Sequence, residues 1–426
     1  MITPIQPISS NGYRSQRGEW AMSVGRGAML LAVLGASWLA GHVLHTGDVF
    51  LTPGYHLLVI SLLAVGLYGS TRDIDIFELR QNRRTVVLAL SAGVTAKVVL
   101  IAAVMALLYP APSSIVLGVA VAQIDPLAVA AAQRRTRMSA STRAVLNAWA
   151  AFDDPVTVLL TVYLSMFALG RGNGGAAAFA SPAAGFGVDV LLNLAFAGSA
   201  LLAWWITRRA GVHEWLASGS SPARYAQACV AVLALAYGVV GVLGSLLLGI
   251  ALIGLFFRPY LEWRRTSAGI VFGALLVATA ALGLVLAGTA EALTWATLVK
   301  GVVLGATAYA AQMLTGWLLS RGRSRFDRLH LALSQQNGLT AIVLALALEP
   351  DFPGAVAVIA PAIVVTNGLY YLGGAFLRRA ERCEGPEPDD AAADSSPDRA
   401  VMERKVRRAP SPGPSLPKSG TAQRIR

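Results

Sequence analysis

Two adjacent carboxylates interrupt the apolar stretch from Asn147 to Thr161. Asp153 and Asp154, followed by Pro155, lie in the middle of NAWAAFDDPVTVLLT. A charge at the centre of a bilayer costs about 2.5–3.5 kcal/mol on insertion scales, so carboxylates at that depth indicate a functional site. Desolvation and mutual repulsion favour protonation of at least one of them, and a cation that binds there must displace protons. The alternative is a pair that a lysine neutralises and that only holds helices together.

A second carboxylate lies in the preceding apolar run, again followed by proline. Asp125 and Pro126 occupy the middle of VAQIDPLAVAAAQ. A proline inside a helix removes one backbone hydrogen bond and frees carbonyl groups in the preceding turn. Free carbonyls beside a carboxylate form an oxygen-rich environment that suits a hard monovalent cation. An ordinary proline kink with a paired aspartate is the alternative.

Two lysines, Lys97 and Lys300, fall inside apolar runs. A lysine at membrane depth needs a carboxylate partner or loses its proton. We expect Lys300, in TLVKGVVLG, to pair with Asp153, with extension of its side chain towards the outer surface as the alternative. For Lys97 three roles are open: structural ion pairing, a part in transport, and extension of the side chain towards the membrane surface. Gly301 and Gly305 have the spacing that lets another helix approach closely.

The composition places these residues in a lipid bilayer. Of the 426 residues, 55% are hydrophobic and 14% are charged, against about 25% charged in an average soluble domain. The net charge of +12 would suggest a nucleic-acid partner in a soluble chain. Here the basic residues gather in short loops between apolar runs, so we expect no such partner. Cys229 lies in an apolar run and Cys383 in a polar tail, and no disulfide is expected.

Eleven apolar runs approach or exceed the length needed to cross a bilayer. They are 27–44, 54–70, 85–109, 113–133, 144–169, 187–207, 225–257, 266–287, 292–320, 329–348 and 354–377. The 33-residue run 225–257 is too long for one crossing and short for two. Basic connections flank it on both sides, so the run must cross twice, with a turn near Gly241–Gly244. The sequence therefore predicts twelve spans with both termini in the cytoplasm.

The chain divides into three regions by composition. Residues 1–26 are expected to form a cytoplasmic N-terminal tail, residues 27–377 a transmembrane domain, and residues 378–426 a disordered cytoplasmic tail rich in Pro, Asp, Ser and Arg. The first run follows arginines, as a signal peptide would, but lacks a convincing cleavage site and is expected to be retained.

Polar residues also interrupt the eleventh run, LALSQQNGLTAIVLALAL, at Ser334–Gly338. Broken helices expose carbonyl groups and helix ends at the midplane sites of many transporters. A polar cytoplasmic cap on a shorter helix is the alternative. Asn337 in this segment is a candidate accessory site residue, as is Lys97.

In these motifs the chain resembles monovalent cation:proton antiporters of the sodium/proton exchanger superfamily, of the double-aspartate type. The match covers Gly54 to Leu377 and rests on IDPLAVAAA, NAWAAFDDPVTVLL, Lys300 and QNGLTAIVLALAL, in that order. The resemblance implies an all-α integral membrane fold of about twelve transmembrane helices. Spans 3–5 and 10–12 would form two inverted repeats, with crossed discontinuous helices 4 and 11. It also implies a homodimer in which a core domain moves against a dimerisation domain.

The resemblance assigns roles to single residues. Asp154 would be the ion-binding carboxylate, Asp153 the carboxylate that pairs with Lys300, and Asp125 the aspartate that supports the helix crossing. Asp154 and Asp125 would hold only the transported cation, and no resident metal or cofactor is expected.

One position departs from the family pattern. Many members have Thr before the fourth-span aspartate, where this chain has Ile124. This change removes a possible hydroxyl ligand and leaves the choice between sodium and potassium open. Gln123 is a candidate substitute.

Together these observations predict a secondary-active antiporter that exchanges Na⁺, Li⁺ or K⁺ for protons by alternating access and serves pH homeostasis. It would lie in the plasma membrane, the inner membrane of a bacterium. No GxxxxGK[ST] motif is present, and no enzymatic activity is expected. The alternatives are a sodium-coupled symporter of an organic anion on a related fold, a channel or purely structural protein, and an intramembrane aspartyl protease. The sequence lacks the Gly-x-Gly-Asp signature of the protease.

Overall fold

The computed structural model describes residues 10–44, 52–72, 87–126, 129, 138–172, 181–209, 221–257 and 263–384. All regular elements in these ranges are helical. The helices are α1 Ser10–Leu44, α2 Pro53–Arg72, α3 Val94–Leu108, α4 Pro112–Ala120, α5 Ala140–Gly172, α6 Ser181–Arg209, α7 Ser221–Leu243, α8 Leu247–Phe256, α9 Trp263–Gly288, α10 Trp295–Leu319, α11a Arg325–Ala332, α11b Leu339–Leu348 and α12 Ala355–Glu384. A π-helical turn, Ala89–Gly93, leads into α3, and a 3-10 turn, Ala290–Ala292, precedes α10.

The helices make this a multi-pass membrane protein. Within the described ranges, eight helices are long and apolar enough to cross a bilayer, and three more apolar helices are shorter. The fold class predicted from the sequence, an all-α integral membrane protein, is confirmed.

The long apolar run does divide into two helices. α7 ends at Leu243 and α8 begins at Leu247, so the break lies at the end of the predicted turn. Ser245 adopts a φ of 53°, a left-handed conformation that reverses the chain here. α8 has ten residues and is about 15 Å long, half the thickness of the hydrocarbon core.

The predicted chain ends are described only in part. α1 begins at Ser10, so most of the segment that we expected to be an N-terminal tail continues the first helix. The chain separates into two compact units, Met1–Leu377 and Arg378–Arg426. The predicted disordered tail lies outside the described residues from position 385 onwards.

Spans four and eleven are both discontinuous. α4 ends at Ala120, and residues 122–125 are not helical. α11a ends at Ala332, and residues 334–338 separate it from α11b. The two breaks contact each other: Asp125 N donates to Gln336 O at 2.8 Å, and Gln335 Nε2 donates to Gln123 O at 2.7 Å. Six spans lie between them in the predicted order, so the topology predicted from the sequence gives spans four and eleven opposite directions, as the predicted inverted repeats require.

Two glycines let α10 and α12 pack backbone against backbone. A Cβ atom on Gly301 would lie 2.5 Å from Val358 O, and one on Gly305 would overlap Ala362 O. Thr366 Oγ1 adds a hydrogen bond of 3.2 Å to Gly305 O. The close approach predicted from the Gly301 and Gly305 spacing is confirmed, and the partner is α12.

This packing predicts the effect of a larger residue on stability. In Gly305→Val, side-chain atoms must displace the α12 backbone, so we expect a loss of about 1–3 kcal/mol and a clearly lower melting temperature in detergent. Gly198→Val on α6 is the matched control, since a Cβ atom there meets nothing within 4 Å. Equal melting temperatures for the two variants would contradict the packing argument.

Candidate functional site

Helix α5 carries both adjacent carboxylates. It continues from Ala140 to Gly172 with Pro155 inside it, so the proline does not end the helix. Asp153 is 0% exposed and Asp154 is 2% exposed. Two acidic side chains buried this completely require polar partners from neighbouring elements.

Asp153 is bound by groups from two other spans. Lys97 Nζ on α3 forms an ion pair with Asp153 Oδ2 at 2.5 Å, and Ile124 N in the break of span four donates to the same oxygen at 2.8 Å. Lys97 is itself 0% exposed and lies 5.9 Å from the centroid of the Trp149 ring. The opposite charges compensate each other where water cannot.

The prediction that Lys300 pairs with Asp153 is wrong: Lys97 occupies that position. Lys300 is only partly buried, with Nζ 5.3 Å from the centroid of the Tyr109 ring. The physical reason is depth. Lys97 lies 11 residues from the end of α3 at Leu108, about 16 Å along the helix, whereas Lys300 lies five residues from the start of α10, about 8 Å along it. Lys97 is also the central residue of run 85–109, a signal that the sequence contained.

Asp154 contacts both broken helices. Thr340 Oγ1, in the first turn of α11b, donates to Asp154 Oδ2 at 3.0 Å. With its amide oriented so that both ends are satisfied, Gln123 donates to Asp154 Oδ1 at 3.2 Å and accepts from Ala341 N at 2.5 Å. Asp154 is thus the carboxylate at which spans four, five and eleven meet.

Asp125 lies at the N-terminus of α11b. Its carboxylate packs against Gly338, the N-cap residue of that helix, so closely that a Cβ atom on Gly338 would overlap it. A helix N-terminus carries partial positive charge, which favours a carboxylate at this place. Asp125 is only partly buried, and its charge acts on Asp154.

Among the described residues, no hydrogen bond joins the predicted accessory residue Asn337 to the carboxylates. Its Oδ1 accepts from Gln335 Nε2 at 3.1 Å. The structure therefore brings together Asp125, Asp153, Asp154, Gln123 and Lys97, and places Lys300 elsewhere.

Sequence reasoning missed Thr340, Asn367 and Glu349. Asn367 on α12 bonds to the main chain of Asn337. Glu349 follows α11b, is 1% exposed, and accepts from Gly354 N and Val356 N at 2.7 Å each. Burial raises the pKa of the Glu349 carboxyl group, and these two N–H donors oppose the shift.

Several buried side-chain oxygens on α5 and in the break between α11a and α11b have no hydrogen-bond partner among the described residues. They are Asp153 Oδ1, Thr157 Oγ1, Gln335 Oε1 and Gln336 Oε1. Buried polar atoms are normally paired, and carboxylate, hydroxyl and amide oxygens are the ligands that hard cations prefer. The arrangement has the chemistry to take a dehydrated cation or protons.

The helical fold matches that of a solved membrane protein. The structure is similar to the sodium proton antiporter MjNhaP1 from Methanocaldococcus jannaschii, solved at pH 8, with a TM-score of 0.59 and 16% sequence identity. The match covers 84% of this chain and 100% of that chain. No protein-family model matches the sequence, and no curated protein matches it significantly.

Proposed function

We propose that this protein exchanges a monovalent cation, Na⁺, Li⁺ or K⁺, for protons by alternating access. The observation that carries the proposal is Asp154, a buried carboxylate at the contact of both broken helices. The likeness of the fold to a sodium proton antiporter supports it. A cation and a proton compete for the same carboxylate, so binding of one releases the other.

Asp154 is the shared binding residue, and Asp125 is the second carboxylate of the cation site. Their mutual repulsion favours states in which a cation or a proton lies between them or on one of them. Thr340 contributes a neutral oxygen, and the amide N–H of Gln123 holds the Asp154 carboxylate in place. Thr340 supplies from α11b the hydroxyl group that Ile124 does not provide from span four.

Lys97 and Asp153 form a second proton-carrying unit. When Asp153 turns towards the bound cation, Lys97 loses its buried partner and releases its proton, because an unpaired ammonium group is costly in low dielectric. One proton from Asp154 and one from Lys97 then leave for each cation. Exchange is electrogenic under this scheme, and Lys300 has no part in it.

The protein acts as a transporter without enzymatic activity or a cofactor, in the plasma membrane of a bacterium. Basic residues in alternate connections support an orientation with both termini in the cytoplasm. A homodimer, in which spans 3–5 and 10–12 move against the other helices, completes the proposal.

Proteoliposomes with an acidic interior and a pH-sensitive dye test the exchange directly. Adding Na⁺, Li⁺ and K⁺ separately should collapse the pH gradient for at least one cation, with liposomes lacking protein as the control. The absence of a response to every cation between about pH 6 and 9, with folded protein, would contradict antiport. Uptake of an organic anion driven by Na⁺, without proton movement, would favour the symporter instead.

A further inference from the structure

Asn367, on α12, forms two hydrogen bonds with the main chain of the break between α11a and α11b. Its Oδ1 accepts from Asn337 N at 2.9 Å, and its Nδ2 donates to Asn337 O at 2.9 Å. A non-helical segment at membrane depth leaves main-chain groups that must be paired within the protein. A single side-chain amide pairs both groups of Asn337.

The peptide group between Gln336 and Asn337 is held from both ends. Its N–H donates to Asn367, and its C=O accepts from Asp125 N at 2.8 Å. The next residue along the chain, Gly338, packs directly against the Asp125 carboxylate. Asn367 is therefore connected to Asp125 in two ways: through the peptide group between Gln336 and Asn337, and through Gly338, which follows Asn337 in the chain.

We infer that Asn367 is a positioning residue that sets the place of Asp125 relative to Asp154 and thereby the affinity for the transported cation. This inference rests on the proposed function. Asp125 is partly exposed and its charge acts on Asp154, so a displacement of the break changes the field at the binding carboxylate. The two hydrogen bonds of Asn367 go to the main chain, so its effect passes through the backbone.

The first test is Asn367→Leu, which keeps the approximate size of the side chain and removes both hydrogen bonds. We expect the cation concentration for half-maximal exchange to rise about tenfold, with a smaller change in maximal rate. Asn193→Leu is the matched control. Asn193 Oδ1 accepts from Gly249 N at 2.8 Å, which joins α6 to α8 away from the crossing. The control should lose stability without a change in the half-maximal concentration.

The second variant, Asn367→Asp, separates positioning from a general loss of stability. A protonated carboxyl group has one acceptor and one O–H donor and can make both bonds, whereas an ionised one has no donor and repels Asn337 O. We expect cation affinity near that of the wild type at low pH and a growing deficit as pH rises. A deficit that is independent of pH would contradict the geometry proposed for Asn367.

Hydrogen–deuterium exchange provides a readout that does not need transport. Asn367→Leu should raise exchange in peptides that cover 121–126 and 333–340, and Asn193→Leu should not. Unchanged exchange there, or an unchanged half-maximal concentration, would overturn the inference. If the wild type moves no protons at all, the proposed function fails, and deuterium exchange alone decides whether Asn367 holds the break.

Discussion

We expect Asp154→Asn to abolish cation-induced proton movement, while the protein still inserts and folds. The asparagine keeps an oxygen that can accept from Thr340, but it has neither a releasable proton nor a negative charge. Two unit charges at 4 Å interact by about 4 kcal/mol at an effective dielectric constant of 20, so cation binding should weaken by about 10³-fold. Dye dequenching in proteoliposomes and the cation-induced rise in melting temperature should both disappear.

The matched control replaces a carboxylate that lies outside the site. The carboxylate of Asp327 on α11a accepts from Ser139 N at 3.0 Å and from Ser139 Oγ at 2.8 Å. Ser139 directly precedes the first residue of α5, Ala140. Asp327→Asn should retain exchange within a few fold, with unchanged cation affinity. Asp154→Asn should be at least as stable as the wild type without cation, because it removes a buried acidic group. Exchange that persists in Asp154→Asn would place the binding residue elsewhere, with Asp125 as the next candidate.

The helices and their interruptions could be predicted from the sequence because they depend on local properties. Hydropathy over a window placed α2 at 54–70, where the structure has Pro53–Arg72. Pro126 and Gly338 are of residue types that disfavour the interior of a helix, and the breaks in spans four and eleven lie directly beside them. Asp154 could be named as a candidate site residue for a similar reason, because an acidic residue in an apolar run is recognisable without knowledge of its spatial neighbours.

The partners of these residues could not be predicted in the same way. Thr340 looks like an ordinary residue of an apolar helix, and its role depends on Asp154, 186 positions away. Asn367 lies 30 positions from the main chain that it binds. For the lysine that pairs with Asp153, the sequence did contain a local signal, namely the central position of Lys97 in its apolar run. Family resemblance favoured Lys300, whereas depth along the helix favoured Lys97, and the structure agrees with depth.

Lys97→Met leaves Asp153 buried without its counter-charge. Breaking a buried pair by removing one partner costs about 3–5 kcal/mol, so the melting temperature should fall clearly. Lys97→Met/Asp153→Asn should regain most of that loss, because the neutral amide no longer needs a cation and can still accept from Ile124 N. Lys300→Met is the matched control, since it removes a partly exposed lysine with only a ring contact to Tyr109. It should leave both stability and exchange nearly unchanged.

Lys97→Arg distinguishes a proton carrier from a fixed counter-charge. An arginine keeps a positive charge beside Asp153 but does not release a proton in a protein. If Lys97 supplies the second proton, the arginine variant should exchange one proton for each cation, and its rate should no longer respond to membrane potential. In the wild type, an inside-positive potential and an inside-negative potential should drive the exchange in opposite directions. Voltage-dependent exchange that survives in Lys97→Arg would contradict the role of the α3 lysine, and so would its loss in Lys300→Met. In this scheme net charge moves only because Lys97 supplies a second proton for each cation.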